Sequence, residues 1–235
     1  FTEHMEPYME QWKKRGFFPD GIYTGFLSDD KQADMILKFM DLFASEETLI
    51  LTDPVMGDNG EVYPIYTEGL RSRFRELVSR SYVITPNITE ALLLLYGKEE
   101  MEKKWKVLET MPEAERLEKI QEIGQRLVLE FSLSAVVITG VNYRENSQTL
   151  KMGNLVLEKE KVSWVFAEKS GGSYSGTGDL FASVLSAGLV KGYSMETCAH
   201  MAVEFISTSI RDAVSEETDR NDGVCFEAHL GMLLS

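Results

Sequence analysis

The chain of 235 residues is long enough for one large domain or two small ones, and its 43% hydrophobic and 26% charged residues are typical of a globular protein. Its 24 Lys and Arg residues against 38 Asp and Glu give a formal net charge of -14, which argues against binding to nucleic acid because that function needs a basic surface. No membrane-length apolar run or signal peptide is visible, and two cysteines outside any CxxC pair indicate a cytoplasmic protein without a zinc site.

Helices and strands are predicted to alternate along the chain. Helices are expected where apolar residues recur every three or four positions, and strands where short β-prone runs lie between turn residues. The charged stretch 98–116 is expected to form a surface excursion. The predicted helices are 2–15, 30–43, 68–80, 87–96, 116–131, 178–191 and 194–214, with a short one near Phe226, and the predicted strands are 21–26, 48–53, 82–85, 135–139, 154–157 and 162–166.

This order of elements predicts the fold class. The runs 48–53 and 135–139 are apolar throughout, which is typical of parallel strands covered on both faces. The strands 154–157 and 162–166 alternate polar and apolar residues, which favours an antiparallel hairpin or edge pair. We therefore expect an α/β fold, a three-layer, mostly parallel sheet flanked by helices, in a single domain over residues 1–235.

Polar clusters follow four of the predicted strands. In an open parallel sheet, ligands bind beyond the carboxyl ends of the strands, so the clusters should lie at one edge of the sheet. Each cluster alone could be ordinary turn chemistry, but four at one edge, with carboxylates in three of them, favour a binding site. The clusters are Asp53–Asp58, Thr85–Glu90, Thr139–Gly140 and Gly171–Asp179.

The segment Gly176-Thr177-Gly178-Asp179 is the most informative of these clusters. Its glycines leave backbone N–H groups unobstructed at the start of a long apolar helix, and such a helix start binds anions. A phosphoryl group in transfer is an anion of this kind. Asp179 could accept a proton from a substrate hydroxyl, although an aspartate at this position could also cap the helix. The sequence contains no GxxxxGK[ST] motif, so this is not a Walker A loop.

Acidic residues in the other clusters are candidates for handling Mg²⁺. Magnesium takes oxygen ligands and keeps several waters, so one or two carboxylates from Asp53, Asp58 and Glu90 would suffice together with phosphate oxygens. Asn87 could hydrogen-bond a phosphate or a metal-bound water. The spacing of Asn87 and Glu90 fits a helix capping box equally well.

Four motifs, in their order and spacing, resemble those of the pyridoxal kinases in the ribokinase-like superfamily. The segments 1–8, 23–27 and 222–227 are similar to the bacterial pyridoxal/pyridoxamine kinase branch. The resemblance covers essentially the whole chain. The four motifs are Asp53-Pro-Val-Met-Gly-Asp58, Thr85-Pro-Asn-x-x-Glu90, Val137-Ile-Thr-Gly140 and Ser175-Gly-Thr-Gly-Asp-Leu-Phe-Ala182.

The resemblance implies ATP-dependent phosphorylation of the 5′-hydroxymethyl group of pyridoxal, pyridoxine or pyridoxamine, as in vitamin B6 salvage. It implies that Asp179 is the base, with an anion hole formed by Gly176, Thr177 and Gly178. It also implies Mg²⁺, often K⁺ or Na⁺, and a homodimer. For the Mg²⁺–nucleotide region it implies Asp53 and Glu90 at the metal and phosphates, with Asn87 beside them, Thr85 and Thr139 toward the ATP phosphates, and Asp58 and Tyr63 near the nucleotide.

Other functions remain open from the sequence. Family members normally carry a further strand, helix and flap-like segment before the position of Phe1, with polar residues that contact the pyridine ring. The chain thus corresponds to the phosphoryl-transfer half of those proteins, and hydroxymethylpyrimidine or another small molecule is an alternative acceptor. A non-catalytic relative that binds nucleotide or pyridoxal phosphate is a further alternative, which the intact Asp179 and anion-hole glycines disfavour.

Overall fold

The computed structural model describes residues 2–145, 149–159 and 161–234, so Phe1 of the family-like opening segment lies outside the described residues. The strands are β1 (Gly21–Thr24), β2 (Leu49–Thr52), β3 (Gly57–Asp58), β4 (Glu61–Val62), β5 (Val83–Ile84), β6 (Ala135–Glu145), β7 (Thr149–Glu158) and β8 (Lys161–Glu168). The helices are α1 (Thr2–Lys14), α2 (Asp30–Phe43), α3 (Glu68–Val78), α4 (Ile88–Tyr96), α5 (Lys98–Thr110), α6 (Glu113–Phe131), α7 (Thr177–Val190) and α8 (Met195–Ser215), followed by a short 3₁₀ helix Glu227–Leu233.

Six of the strands form one central sheet in the order β1-β2-β5-β6-β7-β8. The first four pair in parallel, and β7 and β8 extend the sheet as antiparallel neighbours. Helices cover both faces, so the predicted three-layer α/β architecture is confirmed. No helix within the described ranges is long and apolar enough to cross a membrane.

Two large hydrophobic cores, one on each face of the sheet, follow from the alternation of side chains along the strands. Ile50, Ile84 and Ile138 point to one face, where they join a core that includes residues of α2, α3, α4 and α6. Leu51 and Val83 point to the opposite face and pack in a second core with α7 and α8. The continuous apolar runs predicted from the sequence are therefore strands buried on both sides.

The structure differs from the sequence prediction at several elements. The stretch 98–116 was expected to be a surface excursion, but it forms α5 and the start of α6, because Met101 and Leu108 bury one side of α5 against the core. The predicted strand 135–139 continues to Glu145, since β7 pairs with it beyond a register shift between Ile138 and Val141. The small hairpin of β3 and β4 was not predicted.

Candidate active site

The carboxyl ends of the parallel strands bring the four polar clusters to one edge of the sheet. Thr24, Thr52 and Ile84 stand side by side in register at the ends of β1, β2 and β5. Asp53 and Thr85 are therefore the first residues beyond two neighbouring strands. Thr139 joins the same edge through a parallel bridge to Asn87.

A cleft of about 820 Å³ opens at this edge. It is lined by strand-end residues, by the Gly-rich loop before α7 and by one side of α8. The residues that the sequence singled out all lie on its wall: Asp53, Asp58, Tyr63, Thr85, Asn87, Glu90, Thr139, Gly176, Thr177, Gly178 and Asp179. The structure thus brings them together, while their individual roles stay predictions.

Helix α7 begins at the cleft without a side-chain cap. Its N-cap residue is Gly176, which has a left-handed φ of 80°, and no side chain accepts from the first turn. The Thr177 hydroxyl instead donates to the carbonyl of Tyr174 at 3.1 Å. The N–H groups of the first turn of a helix lack intrahelical partners, so they can bind an anion in the cleft.

Asp179 lies in the first turn of α7 but is not its N-cap. Its side chain is exposed to the cleft, and its Oδ1 accepts a hydrogen bond from the Tyr23 hydroxyl at 3.1 Å. The helix-cap interpretation of Asp179 therefore does not describe this structure. A carboxylate in this place can accept a proton from a hydroxyl that enters the cleft.

Asp53 is a buried carboxylate near the start of α7, with 7% of its surface exposed. Its Oδ1 accepts a hydrogen bond from the Thr85 hydroxyl at 3.1 Å. Its Oδ2 lies 3.9 Å from the position that a Cβ would take on Gly178. Asp53 therefore faces the first turn of α7 directly.

Asn87 and Glu90 form the capping box of α4. The Asn87 N–H donates to Glu90 Oε2 at 2.9 Å, and the Glu90 N–H donates to Asn87 Oδ1 at 3.0 Å. Glu90 Oε1 also accepts from the backbone N–H of Met56 at 3.1 Å, so this side chain joins the loop after β2 to the start of α4. Each carboxylate oxygen keeps a further lone pair, and the capping role does not prevent Glu90 from facing a hydrated cation.

The hairpin of β3 and β4 holds Asp58 at the wall of the cleft. Asn59 and Gly60 form its turn, with φ of 50° and 78°, which matches the Asn-Gly preference of tight hairpin turns. The Gly60 N–H donates to the Thr89 hydroxyl at 2.9 Å, and Trp105 of α5 covers Gly60 so closely that a Cβ would overlap the indole ring. Helices α4 and α5 therefore fix the turn.

Burial and nearby negative charges raise the pKa of three groups in the cleft, Asp53, Glu90 and Tyr63. Burial is the main cause for Asp53, where the charge of Asp179 adds to the rise and the Thr85 hydrogen bond opposes it. Burial and the charge of Asp53 raise the pKa of Glu90 well above its usual value. Burial, with the charges of Glu90, Asp58 and Asp53, raises the pKa of Tyr63 to about 12. The cleft therefore favours cations or protons next to these carboxylates.

The donor chemistry of the cleft fits Mg²⁺. Within the described residues, no group of three or more His, Cys, Asp or Glu side chains is arranged to hold a metal ion. Magnesium bound with phosphate needs only one or two carboxylates and keeps several waters. Asp53, with one oxygen toward the start of α7, and the neighbouring Glu90 meet that requirement.

Three residues of the site, Tyr23, Lys169 and Arg220, were not predicted as site residues from the sequence. Tyr23 contacts Asp179 directly. Of the described residues that line the cleft, Lys169 and Arg220 are the cationic ones. Lys169 donates to Asn142 Oδ1 at 2.9 Å, and Arg220 Nε donates to the carbonyl of Ser173 at 2.7 Å. A cation next to a Gly-rich loop is a signal that could have drawn attention to Lys169.

Comparisons with known proteins agree with this geometry. The family model for phosphomethylpyrimidine kinase matches residues 14–222. The pyridoxine kinase of Bacillus subtilis is 30% identical over 172 residues, which are 70% of this chain and 54% of that protein. The chain spans 47%, 54% and 64% of the three curated relatives reported for it, or about half to two thirds of their length.

Solved structures show the same fold. A Bacteroides thetaiotaomicron protein named as a phosphomethylpyrimidine kinase, crystallised with pyridoxal, has a TM-score of 0.83 and 28% identity, covering 99% of this chain and 77% of its own. Pyridoxal kinase from Lactobacillus plantarum has a TM-score of 0.81 at 22% identity, with 99% of this chain and 77% of its own covered. The chain therefore belongs to the phosphomethylpyrimidine kinase family and has the ribokinase-like fold of the pyridoxal kinases.

Proposed function

We propose that the protein is an ATP-dependent kinase that phosphorylates the 5′-hydroxymethyl group of pyridoxal, pyridoxine or pyridoxamine. The observation that carries the proposal is the meeting of two features in one cleft. Asp179, a carboxylate open to the cleft, lies in an uncapped first turn of α7, and the buried Asp53 faces that turn. A base beside an anion-binding helix start is the arrangement that phosphoryl transfer to a hydroxyl needs.

In the proposed reaction, Asp179 accepts the proton of the acceptor hydroxyl while the hydroxyl oxygen forms a bond to the γ-phosphorus of ATP. The bond between that phosphorus and the bridging oxygen breaks, and ADP leaves. The N–H groups of Gly176, Thr177 and Gly178 face the charge on the phosphoryl oxygens, and the glycines leave them accessible. Catalysis of this kind consists mainly of positioning and electrostatic stabilisation.

Bound Mg²⁺ would neutralise charge on the phosphate oxygens. Asp53 and Glu90 would hold it, in part through water, and Asn87 would hydrogen-bond a phosphate or a metal-bound water. Thr85, Thr139, Asp58 and Tyr63 line the same cleft. Thr85 and Thr139 would approach the ATP phosphates, and Asp58 and Tyr63 would lie near the nucleotide. A requirement for K⁺ or Na⁺ stays a prediction.

Related proteins support a B6 vitamer as the acceptor. The Bacillus subtilis relative is named a pyridoxine kinase, and one from Bordetella avium, 25% identical over 206 residues, is named a pyridoxine/pyridoxal/pyridoxamine kinase. The Bacteroides thetaiotaomicron structure contains pyridoxal. These observations favour a B6 vitamer over other hydroxymethyl compounds.

Hydroxymethylpyrimidine is the second candidate acceptor, because the matching family is that of phosphomethylpyrimidine kinase. Both molecules present a hydroxymethyl group on a flat nitrogen heterocycle, and the phosphoryl-transfer residues would treat them alike. The remaining expectations, one domain over residues 1–235, a homodimer and a cytoplasmic location, stay predictions.

The test measures ATP consumption and the mass of the product with each of the three vitamers and with hydroxymethylpyrimidine. We expect phosphorylation of at least one vitamer, and Asp179→Ala should lower kcat by roughly 10²–10⁴-fold, the usual cost of losing a general base. Asp34→Ala is the matched control, because Asp34 pairs with Arg73 away from the cleft. Turnover of hydroxymethylpyrimidine alone would establish the second candidate, and ATP binding without any turnover would establish a non-catalytic relative.

A further inference from the structure

Tyr23 lies on the edge strand β1 and reaches across to the side chain of Asp179, 156 residues later in the chain. Its hydroxyl donates to Asp179 Oδ1 at 3.1 Å. The ring packs beside the core under α7, so the backbone of β1 and the core together fix where the hydroxyl lies. Nothing in the proposed reaction so far uses this residue.

The direction of this hydrogen bond is fixed by the surroundings of the phenol. Burial, followed by the charges of Asp53 and Asp179, raises the pKa of Tyr23, so the phenol keeps its proton and acts as the donor. A hydrogen bond to one oxygen restricts the orientation of a carboxylate. The other oxygen of Asp179, Oδ2, is then the one available to an incoming hydroxyl.

Gly25 leaves the space in which this contact forms. A Cβ on Gly25 would lie 2.9 Å from the Tyr23 hydroxyl oxygen and 3.6 Å from Asp179 Oδ1. The first distance is too short for a carbon and an oxygen that are not bonded, so a side chain at residue 25 would displace the hydroxyl. The contact thus has two sequence requirements, a tyrosine at 23 and a glycine at 25.

We propose that Tyr23 is a positioning residue for Asp179, holding Oδ1 so that Oδ2 is aligned for proton transfer from the acceptor. The inference rests on the proposed function, in which Asp179 is the base. It follows the general arrangement in which a third group orients a base, as in hydrolase triads. A tyrosine that only filled the core would serve equally well without its hydroxyl.

The first test is Tyr23→Phe, which removes the hydroxyl and keeps the ring. With Mg-ATP and pyridoxal, we expect kcat to fall by roughly 10-fold, within the range that misplacement of a reacting group produces, while the KM of each substrate changes less than about twofold. Gly25→Ala should lower kcat similarly, because it displaces the same hydroxyl by contact. Tyr82→Phe is the control, because Tyr82 is exposed before the amino end of β5, away from the cleft. This variant should have the same kcat and KM as the wild type.

A double-mutant cycle separates an effect through Asp179 from any other effect. In an Asp179→Ala background, Tyr23→Phe should change kcat by less than about twofold, because there is no carboxylate left to orient. An equal loss in both backgrounds would overturn the proposal. So would a Tyr23→Phe enzyme with wild-type kcat, or one whose loss lies entirely in KM.

Thermal unfolding of the same four proteins tests the contact without any turnover. The shift in Tm of the double variant should differ from the sum of the single shifts, because the two side chains share one hydrogen bond. Additive shifts would overturn the inference even if no acceptor is phosphorylated. A wild type that is inactive on every acceptor but shows this coupling would instead count against the proposed function.

Discussion

Thr85 donates its hydroxyl hydrogen to Asp53 across two neighbouring parallel strands, with 3.1 Å between the oxygens. Both side chains are almost completely buried, at 3% and 7% exposure, so Asp53 has little water to take the place of this donor. The hydrogen bond opposes the rise in the pKa of Asp53 that burial causes. The Thr85 hydroxyl therefore stabilises the negative charge of Asp53, which burial disfavours.

We expect Thr85→Val to destabilise the protein by about 1–3 kcal/mol at pH 8, because an ionised and buried Asp53 loses its donor. The loss should be smaller at pH 5, where more of Asp53 is protonated. Urea unfolding of the wild type and the variant at pH 8 and pH 5 measures the loss of stability at each pH. Thr85→Ser keeps the hydroxyl and is the matched control, and an equal loss for Val at both pH values would contradict the assigned cause.

The raised pKa of Asp53 also predicts how wild-type stability depends on pH. The folded protein binds this proton more tightly than the unfolded chain does, so the stabilising contribution is full below the ordinary carboxylate pKa of about 4. It is lost as the pH rises through the raised pKa of the folded protein. Asp53→Asn should weaken this dependence, to which the raised pKa of Glu90 also contributes, and should raise Tm at pH 8 by a few degrees, of order 2–6 °C, while lowering kinase activity.

Tm measured between pH 5 and 8.5, with a chelator and then with excess Mg²⁺, checks this expectation. Magnesium should raise the wild-type Tm most at the high-pH end, where Asp53 is ionised, and should affect Asp53→Asn less. An Asp53→Asn variant whose Tm falls with rising pH as steeply as the wild-type Tm, both measured in the chelator, would be incompatible with a raised pKa at Asp53.

The turn at Gly60 predicts a further stability effect. Gly60→Ala combines a left-handed φ of 78° with overlap of the Trp105 ring, whereas Gly192→Ala has a φ of 85° and open space around the new Cβ. We expect Gly192→Ala to cost about 1–2 kcal/mol from backbone strain alone. Gly60→Ala should cost about 1–3 kcal/mol more from overpacking, and should raise the KM for ATP by moving Asp58.

Denaturant unfolding of both variants, with initial rates over a range of ATP concentrations, measures these effects. The control isolates the backbone contribution, because the two glycines have similar φ. Equal losses of stability in the two variants would show that the Trp105 indole moves away without cost. An unchanged KM for ATP in Gly60→Ala would show that the turn does not contribute to nucleotide binding.

Arg220 connects the Gly-rich loop to the segment after α8 through two hydrogen bonds. Its Nε donates to the carbonyl of Ser173, and its own carbonyl accepts from the Ser175 N–H at 3.0 Å. Arg220→Ala removes the first bond and one of the two cations that line the cleft among the described residues. We expect the KM for ATP to rise several-fold, of order 3–10, with a smaller change in the KM of the acceptor.

Arg220→Lys should recover part of the loss, since it restores the charge without the planar donor. Arg73→Ala is the control, because Arg73 pairs with Asp34 and Glu76 on the surface of α3. Initial rates with each substrate varied in turn distinguish the two KM values. An increase in the KM of the acceptor alone would show that Arg220 does not contribute to ATP binding.

The sequence predicted the layered fold and the cleft edge well for a physical reason. Buried parallel strands are continuous apolar runs, and the polar residues directly beyond them, such as Asp53 and Thr85, must lie at one edge. That rule requires no knowledge of side-chain directions. The capping box of Asn87 and Glu90 was equally visible, because it depends only on a local spacing of three.

Features set by distant pairing were harder to predict. Strand β6 continues past Thr139 because β7 pairs with it, while Gly140 and Asn142 break the apolar pattern. In α5, Met101 and Leu108 lie seven residues apart among charged side chains, so the apolar stripe is narrow. Tyr23 lies in the family-like segment 23–27, but no local pattern indicates its contact with Asp179, which belongs to another strand-helix unit.

The parallel pairing of β1, β2, β5 and β6 has a consequence for how the protein folds. Parts of the cleft that touch one another, such as Tyr23 and Asp179, are joined by more than half of the chain, and such non-local contacts form late and slowly. Helices can form within their own segments long before those contacts exist. During refolding from denaturant, recovery of nucleotide binding should therefore follow recovery of the helical circular dichroism signal, and a chain that has regained its helices need not yet have a cleft.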